Sequence, residues 1–256
     1  MAPSPDQVLS TSDFQVLWER QRLGMMPSPL RVAPEGFTQA ERHAVVERAL
    51  STLQRHELVD RRGQVDRHVA DLLRLLARPA QAIDARLDIG REYKVWVAAD
   101  ASHAALGWQD GETVTLRSIA ATGLAERAVS LLPQTEAGYG RSVSVRAHTL
   151  GKAVEYAGND LRQLEIELRR GGAAQSDAHH WVAMTTDIRQ RGQFRVLVSE
   201  RGKLTPRPHV LNWWTTGSGL YLAQNRTASD GQVWRTVAPA DHGRLTGQLD
   251  RLLRGR

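Results

Sequence analysis

The stretch Trp108-Gln109-Asp110-Gly111 and its counterpart Ser229-Asp230-Gly231 decide the fold of this chain. Each Asp-Gly pair leads into a run of alternating apolar and polar residues, Thr113–Ile119 in the first case and Gln232–Val237 in the second. A helix-like segment that closes on two leucines follows each run. Asp-Gly between alternating segments is a strong hairpin signal, because a two-residue type I′ turn needs positive φ angles, which glycine and aspartate tolerate. The sequence therefore predicts two related halves, each a hairpin followed by a helix.

Around these hairpins, residues with a period of two extend over roughly 81–118 and 192–238, which predicts two antiparallel meanders of four strands each. Helical spacing of apolar residues precedes both meanders and follows both. We expect one domain, residues 1–256, that mixes α-helix and β-sheet and has pseudo-repeat halves of about 1–133 and 134–256. The two meanders are expected to form one pseudo-symmetric sheet.

Several helix boundaries can be predicted from capping residues. Thr38-Gln39-Ala40-Glu41 has the form of a capping box, so a helix is expected over about 39–57. Asn159 and Ser176 are candidate caps for two later helices, of which the second carries apolar positions as far as Ile188. The closing helix is expected to accept Pro239 in its first turn.

Composition limits the classes of protein to consider. The chain has 256 residues, 41% of them hydrophobic, which is enough to bury a core. It contains no cysteine, which suits a reducing compartment, so a cytoplasmic location is expected. The first six residues lack the basic and apolar segments of a signal peptide, and no apolar run is long enough to span a membrane.

The formal net charge of +6 and the pI near 10.2 raise the alternative of a basic nucleic-acid-binding module. However, almost all basic residues are arginines dispersed among acids, as in Glu41-Arg42 and Asp66-Arg67. Dispersed pairs do not create a field of one sign, so the pattern favours an ordinary solvated surface.

Residue patterns typical of catalysis are absent from the sequence. Nine histidines occur without an H-E-x-x-H pattern, and the adjacent pair His179-His180 on a helix points in directions about 100° apart, which does not suit chelation. Ser142 and Ser144 lack a G-x-S-x-G elbow, and the glycines of the 136–140 loop lack a dinucleotide fingerprint. We expect no catalytic, cofactor-binding or metal-binding residues. A small-molecule enzyme, the less favoured alternative, would require a deep pocket that pairs His179 or His209 with a carboxylate.

Tryptophan usage is skewed, with seven tryptophans against three phenylalanines. Trp213 and Trp214 are neighbours on a predicted strand, so their side chains face opposite sides of the sheet. Two interpretations remain open: helices cover the second tryptophan, or one of the two is an exposed anchor for a protein partner.

Five groups of residues occur in an order and spacing that cover almost the whole chain: Arg78-Pro79 before Ile83–Leu87, Asp110-Gly111 with Val114–Arg117, Gly140–Val145, Gly192–Phe194, and Trp234–Asp241 with Arg244-Leu245. In this combination the chain resembles the EspG family, cytosolic chaperones associated with type VII (ESX) secretion.

The resemblance implies a central twisted antiparallel sheet of pseudo-twofold symmetry with N- and C-terminal helical bundles. It also implies binding to the helical tip of the PPE protein in a PE–PPE heterodimer, through the sheet, the C-terminal bundle and the loop between the second and third strands. The apolar centre of the interface is expected on the second meander and the helices after Gly158, with the loop at its rim. The candidate partner-binding residues are Asp88, Ile89, Gly90, Arg91, Glu92, Tyr93, Trp213 and Trp214. No cofactor, nucleic acid or membrane is expected to take part.

Overall fold

The helices and strands occur in two series along a computed structural model that describes residues 6–255. The first series consists of β1 Gln7–Ser10, α1 Thr11–Arg20, a 3-10 helix Ser28–Leu30, α2 Gln39–Arg55, α3 Arg67–Ala77, β2 Gln81–Asp88, β3 Glu92–Ala99, β4 Ala104–Asp110, β5 Thr113–Ile119 and α4 Leu124–Val129. The second consists of β6 Val143–Arg146, α5 Ala147–Ala157, α6 Leu161–Arg170, α7 Gln175–Thr185, β7 Gln190–Glu200, β8 Lys203–Thr216, β9 Gly219–Thr227, β10 Val233–Pro239 and α8 His242–Leu253. The prediction that no signal peptide begins the chain concerns mainly residues 1–5, which lie outside the described residues.

The two series have the same topology. The strand order of the sheet is β1-β5-β4-β3-β2-β7-β8-β9-β10-β6, so each series contributes a four-stranded meander whose last strand also pairs with a short earlier strand. That short strand is β1 on β5 and β6 on β10, and both pairs are antiparallel. The predicted repeat and the predicted combination of an antiparallel sheet with helices are therefore confirmed.

The two Asp-Gly hairpins differ in their turns. Asp110 pairs directly with Thr113, so the first loop has two residues, and of these only Gly111 has a positive φ. A positive φ at the first loop position alone is typical of a type II′ turn, so the expected type I′ turn is wrong in detail. The second hairpin pairs Thr227 with Val233 and has a longer loop. The hairpin signal was correct, whereas the turn type depends on where glycine falls relative to the strand ends.

Helix capping follows the sequence in α2 but not in α6 and α7. The hydroxyl of Thr38 accepts from the Glu41 N–H, and the Glu41 carboxylate accepts in return from the Thr38 N–H at 3.0 Å. The expected caps Asn159 and Ser176 are wrong. Asp160 caps α6, because its carboxylate accepts from two backbone N–H groups of the first turn. Helix α7 begins after Ala174 without a side-chain cap.

Two other boundaries also correct the sequence prediction. Helix α7 ends at Thr185, so Ile188 lies beyond it. Pro239 ends β10 and is not part of the closing helix, which begins at His242. The carboxylate of Asp241 accepts from the Arg244 N–H at 2.7 Å, and this cap sets the start of α8.

The chain divides into two compact units. Unit 1 comprises residues 1–86, 92–124 and 197–206, and unit 2 comprises residues 87–91, 125–196 and 207–256. In unit 1, helices α1 and α3 pack over β3, β4 and β5, and the indole N–H of Trp96 donates to the Leu76 carbonyl at 3.0 Å. In unit 2, helices α5 and α7 pack on one face of β6 and β10, and α6 packs against both helices. Within residues 6–255, none of the helices combines the length and the hydropathy needed to cross a membrane.

Candidate partner-binding surface

The hairpin between β2 and β3 carries six of the predicted partner-binding residues. The strands end at Asp88 and restart at Glu92, so the loop proper is Ile89–Arg91. The Ile89 N–H donates to the Arg91 carbonyl at 3.2 Å, and Gly90 has a φ of 100°. A side chain at residue 90 would meet no atom within 4 Å, but it would be strained at this φ. The loop is therefore a tight turn that projects into open space.

The charges of this hairpin lie at the surface. Asp88, Gly90, Arg91 and Glu92 are exposed, whereas Ile89 and Tyr93 are half-buried. Arg191 Nε lies 3.5 Å from Asp88 Oδ2, and both side chains are more than half exposed. Because both side chains are exposed, the charges of Asp88 and Arg191 are accessible to a partner. An exposed ion pair of this kind contributes little to stability.

Trp213 and Trp214 are both buried, with exposed fractions of 1% and 8%. The expectation that one of them is an exposed anchor is therefore wrong, and the alternative of a helix-covered tryptophan is correct. The indole N–H of Trp214 donates to the Met184 carbonyl at the end of α7 at 2.7 Å. The Trp214 ring stacks on Tyr221, with 6.3 Å between the ring centroids. Helix α7 thus covers the side of β8 that bears Trp214.

Exposed apolar side chains occur instead on α5 and α6. Val154 is 47% exposed, Tyr156 72% and Ile166 41%. The side chains that each helix buries are other ones. On α5 they are Ala153 and Ala157. The signal was present in the sequence, because Val154 and Tyr156 do not share the phase of the buried alanines. The expected apolar centre on the helices after Gly158 includes α6, which bears Ile166, but not α5, which bears Val154 and Tyr156.

The glycine-bearing loop 136–140 presents a further exposed ring. The Gly138 N–H donates to the Leu220 carbonyl at 3.0 Å, and the Tyr221 hydroxyl donates to the Tyr139 carbonyl at 3.0 Å. A Cβ atom at residue 138 would lie 2.1 Å from Tyr221 Cζ, so only glycine allows this close approach. The loop is fixed on β9 while the Tyr139 side chain remains 82% exposed.

Of the histidines singled out by sequence, His179 is exposed, whereas His180 and His209 are half-buried. The rings of His179 and His180 are perpendicular, with centroids 6.2 Å apart. His180 Nδ1 lies 2.6 Å from the Ser176 carbonyl oxygen, and His179 Nδ1 lies 3.6 Å from the Glu165 carboxylate. Among the residues that the structure describes, no group of three or more His, Cys, Asp or Glu side chains is arranged to hold a metal ion.

A cleft of about 1070 Å³ in unit 1 contains His68, His103 and two carboxylates. Both carboxylates are used locally: Asp71 pairs with Arg74 at 2.6 Å, and Asp100 accepts the N–H groups of Ser102 and His103 at 2.7 Å each. These two backbone N–H groups hold the pKa of Asp100 below its usual value. A carboxylate with a lowered pKa is a poor general base, so Asp100 is not suited to that role.

Comparison with known proteins places the chain in one family. The model of the EspG family matches residues 10–251. The chain belongs to the EspG family. Among the curated proteins searched, none matches this EspG-family chain.

A solved structure supports the same fold. It is that of the Mycobacterium tuberculosis type VII secretion system chaperone EspG5, in complex with a PE25–PPE41 dimer. The match has a TM-score of 0.79 at 14% sequence identity, and it covers 97% of this chain and 96% of EspG5. The helices and strands described above are thus those of an EspG fold.

Proposed function

We propose that this EspG-family chain is a cytoplasmic chaperone of type VII secretion that binds a PE–PPE dimer through the PPE protein, without catalysis or a cofactor. The observation that carries the proposal is the family match over residues 10–251. The similar EspG5 structure, which holds a PE25–PPE41 dimer, supports the same kind of partner for this chain.

The physical logic does not require chemistry. A secreted helical protein with an apolar tip exposes surface that self-associates before export. A partner that covers this tip lowers the concentration of the free, aggregation-prone form by mass action. This role calls for exposed apolar side chains on a rigid support, and it places no demand on titratable groups.

We assign the apolar centre of the interface to Tyr156 on α5 and Ile166 on α6, because these are exposed apolar side chains on helices that pack against each other. Val154, two residues from Tyr156, lies on a different face of α5. The hairpin residues Asp88–Tyr93 form the rim. Tyrosine is enriched among the residues that dominate binding energy, so Tyr156 is the strongest candidate anchor. Trp213 and Trp214 are buried, so in this proposal they stabilise the fold and do not contact the partner. An interface of this kind buries about 1,200–2,000 Å² in total.

The test uses the full chain, co-expressed with PE–PPE pairs from the same genome and analysed by size-exclusion chromatography. The proposal predicts a stoichiometric complex with at least one pair. Replacing Tyr156 and Ile166 with aspartate should abolish this complex, since each change places a charge in an apolar contact. The matched control is Phe37→Asp, which changes a fully exposed apolar residue of unit 1 and should leave the complex intact. Equal loss in the control would contradict the assigned surface.

A further inference from the structure

An arginine–tryptophan–arginine row crosses three strands of unit 2. Trp234 on β10 pairs directly with Arg226 on β9 and with Arg146 on β6. The Arg146 guanidinium lies over the indole, with Cζ 5.7 Å from the ring centroid. Neighbouring strands are about 4.8 Å apart, so the two arginines leave the sheet about 10 Å from each other with the indole between them.

The adjacent row of the same face is polar. Thr236 pairs with Gln224 on one side and Ser144 on the other, and the two hydroxyl oxygens lie 2.7 Å apart. Side chains two residues apart on a strand share a face, so this row extends the surface around Trp234. Arg146, Arg226 and Ser144 are exposed.

The two arginines of the row lack a counter-charge. Within residues 6–255, no carboxylate lies within ion-pair distance of Arg146 or Arg226. Unit 1 contains equal numbers of basic and acidic residues, so the formal net charge of +6 belongs entirely to unit 2. The row is thus an uncompensated cationic feature on the unit that carries the excess charge.

Unit 1 contains a completed version of the same contact. The Arg117 guanidinium lies over the Trp108 ring at 5.2 Å, and its Nε donates to Asp6 Oδ1 at 2.6 Å. This hydrogen bond holds the pKa of Asp6 below its usual value, which shows that the carboxylate is stabilised in its charged form. In unit 1 the arginine that stacks on a tryptophan also donates a hydrogen bond to a carboxylate. In unit 2 none of the described residues supplies such a carboxylate.

We infer that the arginine–tryptophan–arginine row binds an acidic segment of a protein partner, whose carboxylate takes the role that Asp6 has in unit 1. Paired guanidinium groups suit carboxylates because their N–H groups match the two oxygens. A nucleic acid fits less well, since single strands use several successive aromatic platforms and this row offers one. The inference rests on the geometry of unit 2 and is independent of the proposed function.

The test is an NMR titration of the isotope-labelled full chain with a capped tetraglutamate peptide, and in parallel with capped tetraglutamine. Tetraglutamate should give a saturable shift of the Trp234 indole N–H that weakens as salt rises, and tetraglutamine should give none. The double variant Arg146→Gln/Arg226→Gln should weaken binding at least tenfold. The control Arg251→Gln, an exposed arginine on α8, should leave it unchanged.

Three results would overturn the inference. Equal shifts with tetraglutamine would show that charge is not recognised. Undiminished binding by a double variant whose spectrum remains well dispersed would place the site elsewhere. Tighter binding of oligothymidylate than of tetraglutamate through the Trp234 resonance would indicate a nucleic-acid surface. None of these outcomes involves a PE–PPE dimer, so each leaves the proposed function to its own test.

Discussion

Replacing Trp214 with alanine should destabilise the protein while leaving the affinity of the folded form for the proposed client, a PE–PPE dimer, unchanged. The side chain is 8% exposed, stacks on Tyr221 and donates to the Met184 carbonyl. Truncation of a buried tryptophan costs about 3–5 kcal/mol, and an unpaired buried carbonyl adds about 1 kcal/mol. The total of about 5 kcal/mol corresponds to a fall in melting temperature of about 10–20 °C for a chain of this size.

The assay is urea unfolding followed by circular dichroism, combined with calorimetric titration of the client at low temperature. Trp214→Phe is a milder second variant, which keeps a ring against Tyr221 but removes the indole donor, and it should cost about 1–2 kcal/mol. Tyr156→Ala is the matched counterpart on the exposed surface. It should change stability by less than about 0.5 kcal/mol but weaken client binding by about 2 kcal/mol, or roughly thirtyfold.

The reasoning is refuted if Trp214→Phe unfolds at the same urea concentration as the unmodified protein while binding the client more than tenfold more weakly. That pattern would identify Trp214 as a contact residue and would mean that the helix cover moves aside on binding. If Tyr156→Ala lost stability and kept its affinity for the client, Tyr156 would be a core residue and not a contact residue.

Four further predictions follow from particular contacts. Gly138→Ala should destabilise unit 2 by about 1–3 kcal/mol, because its Cβ would collide with Tyr221, whereas Gly151→Ala, in open space on α5, should stabilise by about 0.5–1 kcal/mol; urea unfolding measures both. Backbone N–H donors lower the pKa of Glu41 below 4.5. Its contribution to stability is therefore present above pH 4.5 and is lost as pH falls through the lowered pKa. Glu41→Gln should flatten this part of the pH profile of the free energy of unfolding. Asp6→Asn should raise the rate of amide hydrogen exchange in β1, because it weakens the contact of Asp6 with Arg117 beside the β1–β5 pair. Limited proteolysis should give no separately folded halves near residue 133 if residues 1–256 form one domain, as we predict.

Much of the fold could be predicted because the local signals and the tertiary structure agree. The capping box at Thr38 and Glu41 fixes the start of α2, and the Asp-Gly pairs mark equivalent hairpins in the two series. The predicted helix cap and turn type were wrong where two adjacent residues can take the same position. Asp160 caps α6 in place of Asn159, and the position of Gly111 at the start of its loop selects the turn type.

The candidate site was harder to predict. Alternation with a period of two indicates which side chains share a face of the sheet, but it does not indicate whether helices pack on that face. Trp213 and Trp214 face opposite sides of β8, and the sequence could not show that both sides are covered. The exposed residues Val154, Tyr156 and Ile166 lie on amphipathic helices whose buried stripe is partly alanine. A small-residue stripe is a weak signal of which helix face is buried, and α5 precedes Gly158, so its exposed apolar residues are not among the expected interface residues.

The most direct test of the central claim is the mass of the complex formed by this chain with PE–PPE dimers from the same genome. The measurement is size-exclusion chromatography with light scattering on co-expressed, purified samples. We predict that at least one PE–PPE dimer elutes with this chain at the mass of a stoichiometric complex, and that the Tyr156→Asp/Ile166→Asp variant elutes alone. If every PE–PPE dimer of that genome is soluble by itself and none elutes with this chain, the proposed chaperone function is wrong.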